Sequence, residues 1–140
     1  MFVPDLAIII PYYKLVFFQE CLRSLELQTD QRFTVYIGND ASKENPEDLL
    51  KEFAGKFNFL YKKFEKNLGS TSLTKQWDRC IDLMQGEQWF IILGDDDYLS
   101  ELCVEEFYRN KEIAEKEKIA VIKMNSAIVN EHGIVLSEKK

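Results

Sequence analysis

Trp89-Phe-Ile-Ile-Leu-Gly-Asp-Asp-Asp97 places three carboxylates directly after an apolar run that has the length of a buried strand. Carboxylates a few ångströms apart repel one another, and a hard divalent cation with oxygen ligands offsets that repulsion. Open α/β sheets bind their ligands at the carboxyl ends of their strands. The stretch therefore predicts a sheet with a metal ion at its carboxyl edge. The alternative is a solvated turn or the start of a helix.

Two earlier runs predict further strands of the same sheet. Leu6–Ile10 is continuously apolar and rich in β-branched residues, and Pro11 ends it. Phe33-Thr-Val-Tyr-Ile37 predicts a second strand, which breaks at Gly38-Asn39-Asp40. Because apolar residues recur at helical spacing between these runs, the first part of the chain predicts a β-α-β unit with parallel strands.

The rest of the chain continues this alternation of helices and strands. We expect a helix from Pro46 through Phe57, a strand at Phe59–Phe64 and a helix that starts near Ser70–Ser72 and ends at Gly86. After the aspartates we expect a helix capped by Ser100, a strand at Ile119–Met124, and a hairpin of Ala127–Val129 with Ile134–Leu136. The pattern is typical of an α/β fold with a mainly parallel sheet and flanking helices.

The composition excludes several classes of protein. The 140 residues suffice for one domain, and a net charge of −6 with a pI near 4.9 argues against a general nucleic-acid binder. The amino-terminal apolar run Leu6–Ile10 is far too short to cross a bilayer. Cys21, Cys80 and Cys103 lie apart among apolar residues, so we expect buried thiols in a reducing, cytoplasmic compartment.

Four loops follow the predicted strands and should meet at one edge of the sheet. They are Pro11–Tyr13, Asn39–Ser42, Asn67–Ser72 and Asp95–Asp97. Tyrosine rings offer a flat face for a nucleobase, a helix start can face a phosphate, and the aspartates can hold a metal that neutralises a diphosphate. These loops together predict a metal-dependent nucleotide pocket.

In this order, Ile8–Tyr13, Gly38–Ser42, Asn67–Gly69 and Leu93–Leu99 resemble the signature of the family-2 glycosyltransferases, which have a Rossmann-like GT-A fold. The likeness extends from Leu6 to about residue 106. It implies transfer of a sugar from a nucleotide-diphosphate sugar, expected to be a UDP-sugar, to a hydroxyl group of a glycan or glycolipid acceptor. It also implies inversion at the sugar and a setting in surface polysaccharide synthesis.

The resemblance assigns nucleotide-binding roles to residues of the first three loops. Pro11, with Tyr12 and Tyr13, would border the nucleobase. Asp40 would match the family aspartate that hydrogen-bonds the base, typically uracil. Asn67 and Gly69 would belong to the same nucleotide site, although both can also be explained as turn formers.

The resemblance identifies the aspartate run as the family's DxD-type motif for Mg²⁺ or Mn²⁺. On this assignment Asp96 is the principal metal ligand, Asp97 is a second ligand or a support, and Asp95 faces the ribose of the nucleotide. Many relatives read Asp-x-Asp-Asp here, so Gly94 stands where their first aspartate would be.

A second departure from the family concerns the helix after Asn67–Gly69. Relatives often carry an Arg-Asn pair there, whereas this chain reads Leu73-Thr-Lys-Gln-Trp77. Lys75 can replace the arginine as a contact to the diphosphate, and the alternative is a solvated lysine on a helix surface.

Inverting members of the family take their catalytic base and their acceptor-binding elements from the second half of the domain. We therefore expect residues 1–140 to form an incomplete GT-A nucleotide-diphospho-sugar-binding domain, with the base beyond Lys140. Any membrane association would come from segments outside these residues.

Three other functions fit parts of the sequence. A receiver-type signalling module also groups carboxylates at strand ends, with Asp40 as its phosphate acceptor and Lys123 as its lysine, but an acidic triplet on the fourth strand does not suit that design. A nucleotidyltransferase would carry a glycine- and arginine-rich first loop, and Pro11–Lys14 is not one. A donor-binding domain without transferase activity is the third alternative.

Overall fold

The structure is a computed structural model that describes residues 3–139. The chain forms two compact units, one ending at Glu106 and the other starting at Phe107. The helices and strands follow in the order β1 (Leu6–Tyr12), α1 (Phe18–Glu26), β2 (Phe33–Asn39), α2 (Glu47–Glu52), β3 (Phe59–Lys63), α3 (Leu73–Ile81), β4 (Trp89–Ile92), α4 (Cys103–Lys116), β5 (Ser126–Val129) and β6 (Val135–Lys139).

The first unit contains a four-stranded sheet in the order β3-β2-β1-β4, and all of its pairings are parallel. In the register of the sheet, Ile8 of β1 lies opposite Val35 of β2 and Ile91 of β4. The predicted parallel α/β sheet and its β-α-β unit are confirmed. Strand β1 is central and apolar on both faces, as a strand covered by helices on both sides must be.

Helix α1 covers the sheet with the side chains that the spacing predicted. Phe18, Cys21, Leu22 and Leu25 are all fully buried. Helix α3 begins where the turn chemistry predicted, because the Ser72 hydroxyl accepts a hydrogen bond from the Lys75 N–H and caps the helix.

Three helices differ from the prediction. Helix α3 ends at Ile81 and not at Gly86, because its last backbone hydrogen bonds give way to a turn at residues 82–83. Helix α2 stops at Glu52, although the apolar pattern continued to Phe57. Phe53 and Phe57 remain buried because they join an aromatic cluster with neighbouring rings beyond the end of the helix. The prediction that Ser100 caps α4 is wrong: its carbonyl accepts from Cys103 N, so a turn precedes the helix.

The second unit contains the remaining part of α4 and the predicted hairpin. Strands β5 and β6 pair in antiparallel fashion, and the Asn130 side chain closes the turn by accepting from the N–H groups of His132 and Ile134. The predicted strand at Ile119–Met124 is wrong. Among the described residues 3–139, the strands do not include this segment, and Val121 is 79% exposed.

None of the helices between residues 3 and 139 combines the length and the apolar character that crossing a bilayer requires.

Candidate functional site

The loops at the carboxyl edge of the sheet contact one another, as predicted. The Asp95 carboxylate, after β4, accepts hydrogen bonds from the backbone N–H groups of Tyr13 at 2.7 Å and Lys14 at 2.9 Å. The Ser42 hydroxyl, after β2, donates to the Tyr13 carbonyl. The loops after β1, β2 and β4 are therefore fastened to each other by side chains from distant parts of the sequence.

The two tyrosines of the first loop have different environments. Tyr12 is fully buried, packs on Phe18 with ring centroids 4.7 Å apart, and donates its hydroxyl proton to the Glu44 carbonyl at 2.7 Å. Burial raises the pKa of Tyr12 above its usual range. The prediction that Tyr12 itself borders a nucleobase is corrected, because a ring inside the core presents no face to a ligand. Tyr13 is 47% exposed and can present one.

Asp40, after β2, is buried and holds the loop after β3. Its carboxylate accepts from the backbone N–H groups of Leu68 at 2.7 Å and Gly69 at 2.9 Å, and from Asn67 Nδ2 at 3.1 Å. Asn67 Nδ2 also donates to the Asp40 carbonyl at 2.9 Å. The structure thus brings the predicted residues Asp40, Asn67 and Gly69 into one hydrogen-bonded cluster.

Arg79 of α3 belongs to this cluster and was missed by the sequence analysis. Its Nη2 lies 2.6 Å from Asp40 Oδ1 and also donates to the Lys66 carbonyl at 2.8 Å. Its guanidinium lies over the Phe64 ring at 4.0 Å, and its Nε donates to Gln76 Oε1 at 2.5 Å. The available signal was an arginine one turn beyond Lys75 on a helix that starts at the predicted loop.

Lys75 and Pro11 lie where the motif order places them. Lys75 is exposed in the first turn of α3, and its backbone N–H bonds the Ser72 cap. Pro11 is partly exposed in β1, opposite Gly38 of β2. Pro11 lies near the carboxyl end of β1, and Lys75 lies in the first turn of the helix that follows the loop after β3, so both remain candidates for ligand contact.

Asp96 and Asp97 are exposed and fold back over Gly94. A Cβ added at Gly94 would lie 2.6 Å from Asp97 Oδ2 and 3.2 Å from Asp96 Oδ1, so both oxygens approach one point. Across residues 3–139 no three histidine, cysteine, aspartate or glutamate side chains are arranged to hold a metal ion. Two accessible carboxylates nevertheless suit Mg²⁺, which commonly binds one or two carboxylates together with substrate phosphates.

Asp95 differs from the two aspartates that follow it. It is partly buried, and burial raises the pKa of its carboxyl group, while the N–H groups of Lys14 and Tyr13 act in the opposite direction. Beneath the loop, the buried Cys21 thiol lies 3.6 Å from the Gly94 carbonyl. Burial raises the pKa of Cys21 well above its ordinary value, and the Asp95 carboxylate adds to the effect. The loop therefore rests on a neutral thiol.

A groove of about 490 Å³ borders the cluster on the side of β2 and β3. Two lysines and an asparagine make its wall polar and partly cationic. It is lined by Ala41, Ser42, Lys43, Asn45, Lys63, Phe64 and Glu65.

Comparison with known proteins identifies a family. The model of the family described as "Glycosyl transferase family 2" matches residues 7–128. No curated protein sequence matches the chain.

Solved structures of S. aureus TarS share the fold. TarS residues 1–349 in complex with UDP-GlcNAc superpose with a TM-score of 0.71 at 20% identity, over 79% of this chain and 32% of that one. The complex of the same fragment with UDP gives the same TM-score and identity over 33% of its chain, and a further TarS structure matches over 20% of its chain. The chain thus spans about a third or less of these structures.

Proposed function

The chain belongs to glycosyl transferase family 2, and from that premise we propose that it binds the donor for an enzyme that transfers a sugar from a nucleotide-diphosphate sugar to a hydroxyl group. We take the nucleotide to be UDP, since the TarS structures that share this fold were crystallised with UDP-GlcNAc and with UDP. The acceptor is proposed to be a glycan or glycolipid, reached on the cytoplasmic side of the membrane.

One observation carries this proposal. Asp95 fastens the loop after β4 to the loop after β1, and so joins the segment that carries the exposed Tyr13 to the segment that carries the exposed Asp96 and Asp97. An aromatic face beside accessible carboxylates suits a ligand that has a base at one end and a diphosphate at the other. The site is open to solvent and can admit such a ligand.

We assign the nucleoside to the β1 side of this edge and the diphosphate to the β4 side. Tyr13 would stack on the base next to Pro11, and Asp95 would face the ribose. Lys75, in the first turn of α3, would supply a positive charge toward the phosphates.

Asp96 and Asp97 would hold a divalent cation, Mg²⁺ or Mn²⁺. Such an ion, when bound, offsets the charge that develops on the departing nucleotide diphosphate. The role of this chain's residues is to hold the diphosphate at one place and to exclude other orientations. The base that deprotonates the acceptor is not assigned to any of residues 3–139, and inversion at the sugar is proposed from the family alone.

The receiver-type alternative is less well supported. Its phosphate acceptor would be Asp40, whose carboxylate is buried and bonded to Arg79 and to backbone N–H groups. An acceptor of a phosphoryl group must instead be accessible to its donor.

Titration calorimetry with UDP, with and without Mn²⁺, tests the proposal. We expect binding that strengthens in the presence of Mn²⁺, and we expect Asp96→Ala to weaken it by about tenfold or more, since it removes a charged ligand of the ion. Asp48→Ala is the matched control, because the Asp48 side chain is 99% exposed and pairs with the exposed Lys51.

Two results would contradict the proposal. UDP binding that is indifferent to Mn²⁺ and equal in the Asp96→Ala and Asp48→Ala variants would remove the metal site. Absence of binding to any nucleoside diphosphate would refute the donor-binding role of this chain.

A further inference from the structure

Helix α1 and the residues at its end carry three buried side chains that can form hydrogen bonds. They are Cys21, Ser24 and Gln28. Their spacing of three and four residues places Cys21 and Ser24 on one face of the helix and Gln28 just beyond its last turn. Buried polar groups are costly unless they are hydrogen-bonded, so the partners of these side chains show what this face of the molecule holds.

The partners lie in the segment Gly94–Val104, which we call the aspartate segment. Cys21 Sγ donates to the Gly94 carbonyl at 3.6 Å. The Ser24 hydroxyl accepts from the Leu99 N–H at 3.1 Å and donates to the Cys21 carbonyl at 2.7 Å. The aspartate segment is thus bonded to α1 on both sides of its three carboxylates.

Gln28 bonds the same segment with both ends of its amide group. Its Nε2 donates to the Ser100 carbonyl at 2.7 Å and to the Ser24 carbonyl at 3.0 Å. Its Oε1 accepts from the Val104 N–H at 3.0 Å. The first N–H groups of a helix have no partner within it, so Gln28 caps α4 where the Ser100 side chain was expected to do so.

The aspartates therefore lie between two anchored points. At one end the Leu93 N–H donates to a carbonyl of β1 at 2.8 Å, and at the other end Leu99 is held by Ser24. The side chains of Asp96 and Asp97 are exposed, so the course of the backbone between the anchors sets where their carboxylates lie. Neighbouring carboxylates repel one another, and a segment without anchors would open and separate them.

We propose that Ser24 and Gln28 are positioning residues, which hold the aspartate segment so that Asp96 and Asp97 present their carboxylates together to the cation of the donor complex. This inference rests on the proposed donor-binding function. A segment that already has its binding conformation loses less conformational entropy when the ligand arrives. The anchors should therefore strengthen the part of donor binding that depends on the metal.

The dependence of UDP affinity on Mn²⁺ separates positioning from a general effect on stability. Ser24→Ala removes the hydroxyl that holds Leu99 and leaves the aspartates in place. In calorimetry we expect it to reduce the factor by which Mn²⁺ strengthens UDP binding by about fivefold, while the affinity for UDP without Mn²⁺ stays within about twofold of wild type. An unchanged Mn²⁺ factor would overturn the inference.

Tyr36→Phe is the matched control for Ser24→Ala. The Tyr36 hydroxyl is also buried, donates to Glu87 Oε1 at 2.6 Å and accepts from the Gln85 N–H at 3.1 Å. Its partners precede β4, whereas the aspartate segment follows that strand. Tyr36→Phe should lower the urea midpoint and leave the Mn²⁺ factor unchanged. An equal fall of this factor in both variants would mean that lost stability explains it, against the inference.

Gln28→Met tests the second anchor. Methionine has a similar length and fills the buried space, but it cannot form the bonds to Ser100 and Val104. We expect the Mn²⁺ factor to fall as it does in Ser24→Ala. Gln31→Met is the control, because Gln31 Nε2 donates to carbonyls at the end of α1 and none of these lies in the aspartate segment. An equal effect of Gln31→Met would contradict the proposed role of Gln28.

Amide hydrogen exchange tests the anchoring without any ligand. The Asp97 N–H donates to the Gly94 carbonyl at 3.1 Å, a bond in which Ser24 takes no part. In Ser24→Ala this amide should nevertheless exchange about threefold faster or more, since the segment opens more easily. The Leu93 N–H, which is bonded to β1, should exchange at the wild-type rate. Unchanged exchange at Asp97 would overturn the inference.

The two readouts distinguish a failure of this inference from a failure of the proposed function. If the wild-type chain binds no UDP with or without Mn²⁺, the proposed function is refuted, and exchange at Asp97 still decides whether Ser24 holds the segment. If UDP binding depends on Mn²⁺ and Ser24→Ala behaves as wild type in both measurements, the function stands and the positioning role is refuted.

Discussion

Gly38→Ala should destabilise the fold at the point where α3 approaches β2. A Cβ added at Gly38 would lie 2.3 Å from Cys80 Sγ and 3.0 Å from Phe64 Cε2. The backbone of Gly38 is not in the left-handed region, so the cost is steric crowding and not backbone strain. Cys80 and Phe64 are held by α3 and β3 packing, and the added methyl group must push the helix outward.

The expected magnitude follows from two opposing effects. Overpacking a core by a methyl group costs about 1–3 kcal/mol. Replacing glycine by alanine in a compatible conformation stabilises the fold by about 0.4–1 kcal/mol, because alanine lowers the conformational entropy of the unfolded chain. We therefore expect a net loss of about 1–2 kcal/mol, or a fall in Tm of roughly 3–8 °C for a chain of this size.

Urea denaturation of a double-mutant cycle measures this contact. Cys80→Ala removes Sγ and leaves its Cβ 3.4 Å from the new methyl group, which is an ordinary contact. Gly38→Ala should then cost about 1 kcal/mol less in the Cys80→Ala background than in wild type. Relief is incomplete because Phe64 Cε2 still crowds the site.

Cys21→Ala is the matched control for this cycle. It removes another buried thiol, but Cys21 is not among the atoms that the added Cβ of Gly38 would meet. Its effect should add to that of Gly38→Ala without coupling. Equal costs of Gly38→Ala in the wild-type, Cys80→Ala and Cys21→Ala backgrounds would refute the steric argument.

Three other changes have outcomes that the structure predicts. Gly94→Ala should alter the free energy of unfolding by less than about 0.5 kcal/mol, because the exposed Asp97 side chain can rotate away, yet it should weaken Mn²⁺-dependent UDP binding in calorimetry several-fold. Tyr13→Ala should weaken UDP binding by about tenfold, whereas the same change should leave the urea midpoint nearly unaltered, and equal UDP affinity would exclude stacking on this ring. Burial raises the pKa of the Cys80 thiol to about 12. The buried neutral thiol therefore contributes its full stability below the unfolded pKa of about 8.5, and this contribution falls as the pH rises above that value. A thiol reagent at pH 8 should label Cys80 only in high urea, and rapid labelling without urea would contradict this.

The parallel sheet was predictable because its strands are encoded by continuous apolar runs. Leu6–Ile10 is apolar on both faces, as a buried parallel strand needs, and Phe33–Ile37 departs from this only at Thr34. The strand predicted at Ile119–Met124 had a similar composition. No strand is formed there, because strand formation depends on the surrounding structure and composition alone does not decide it.

The candidate site was predictable to the level of loops but not of side-chain partners. Strand ends in a parallel sheet must share an edge, so the meeting of the four loops followed from the strand order. The burial of Tyr12 and the pairing of Arg79 with Asp40 did not follow, because adjacent tyrosines look alike in sequence and the rotation of α3 decides which of its residues faces the turn.

The hydrogen bonds from Tyr13 and Lys14 to Asp95 span more than 80 positions of the chain. Contacts between such distant residues form late, because a long loop must close before they stabilise anything. During synthesis the amino-terminal strands emerge first, but the edge that we propose faces the donor cannot be completed until β4 has joined β1. A nascent chain released before Asp95 would therefore contain an ordered β-α-β unit and still have no competence to hold a nucleotide sugar.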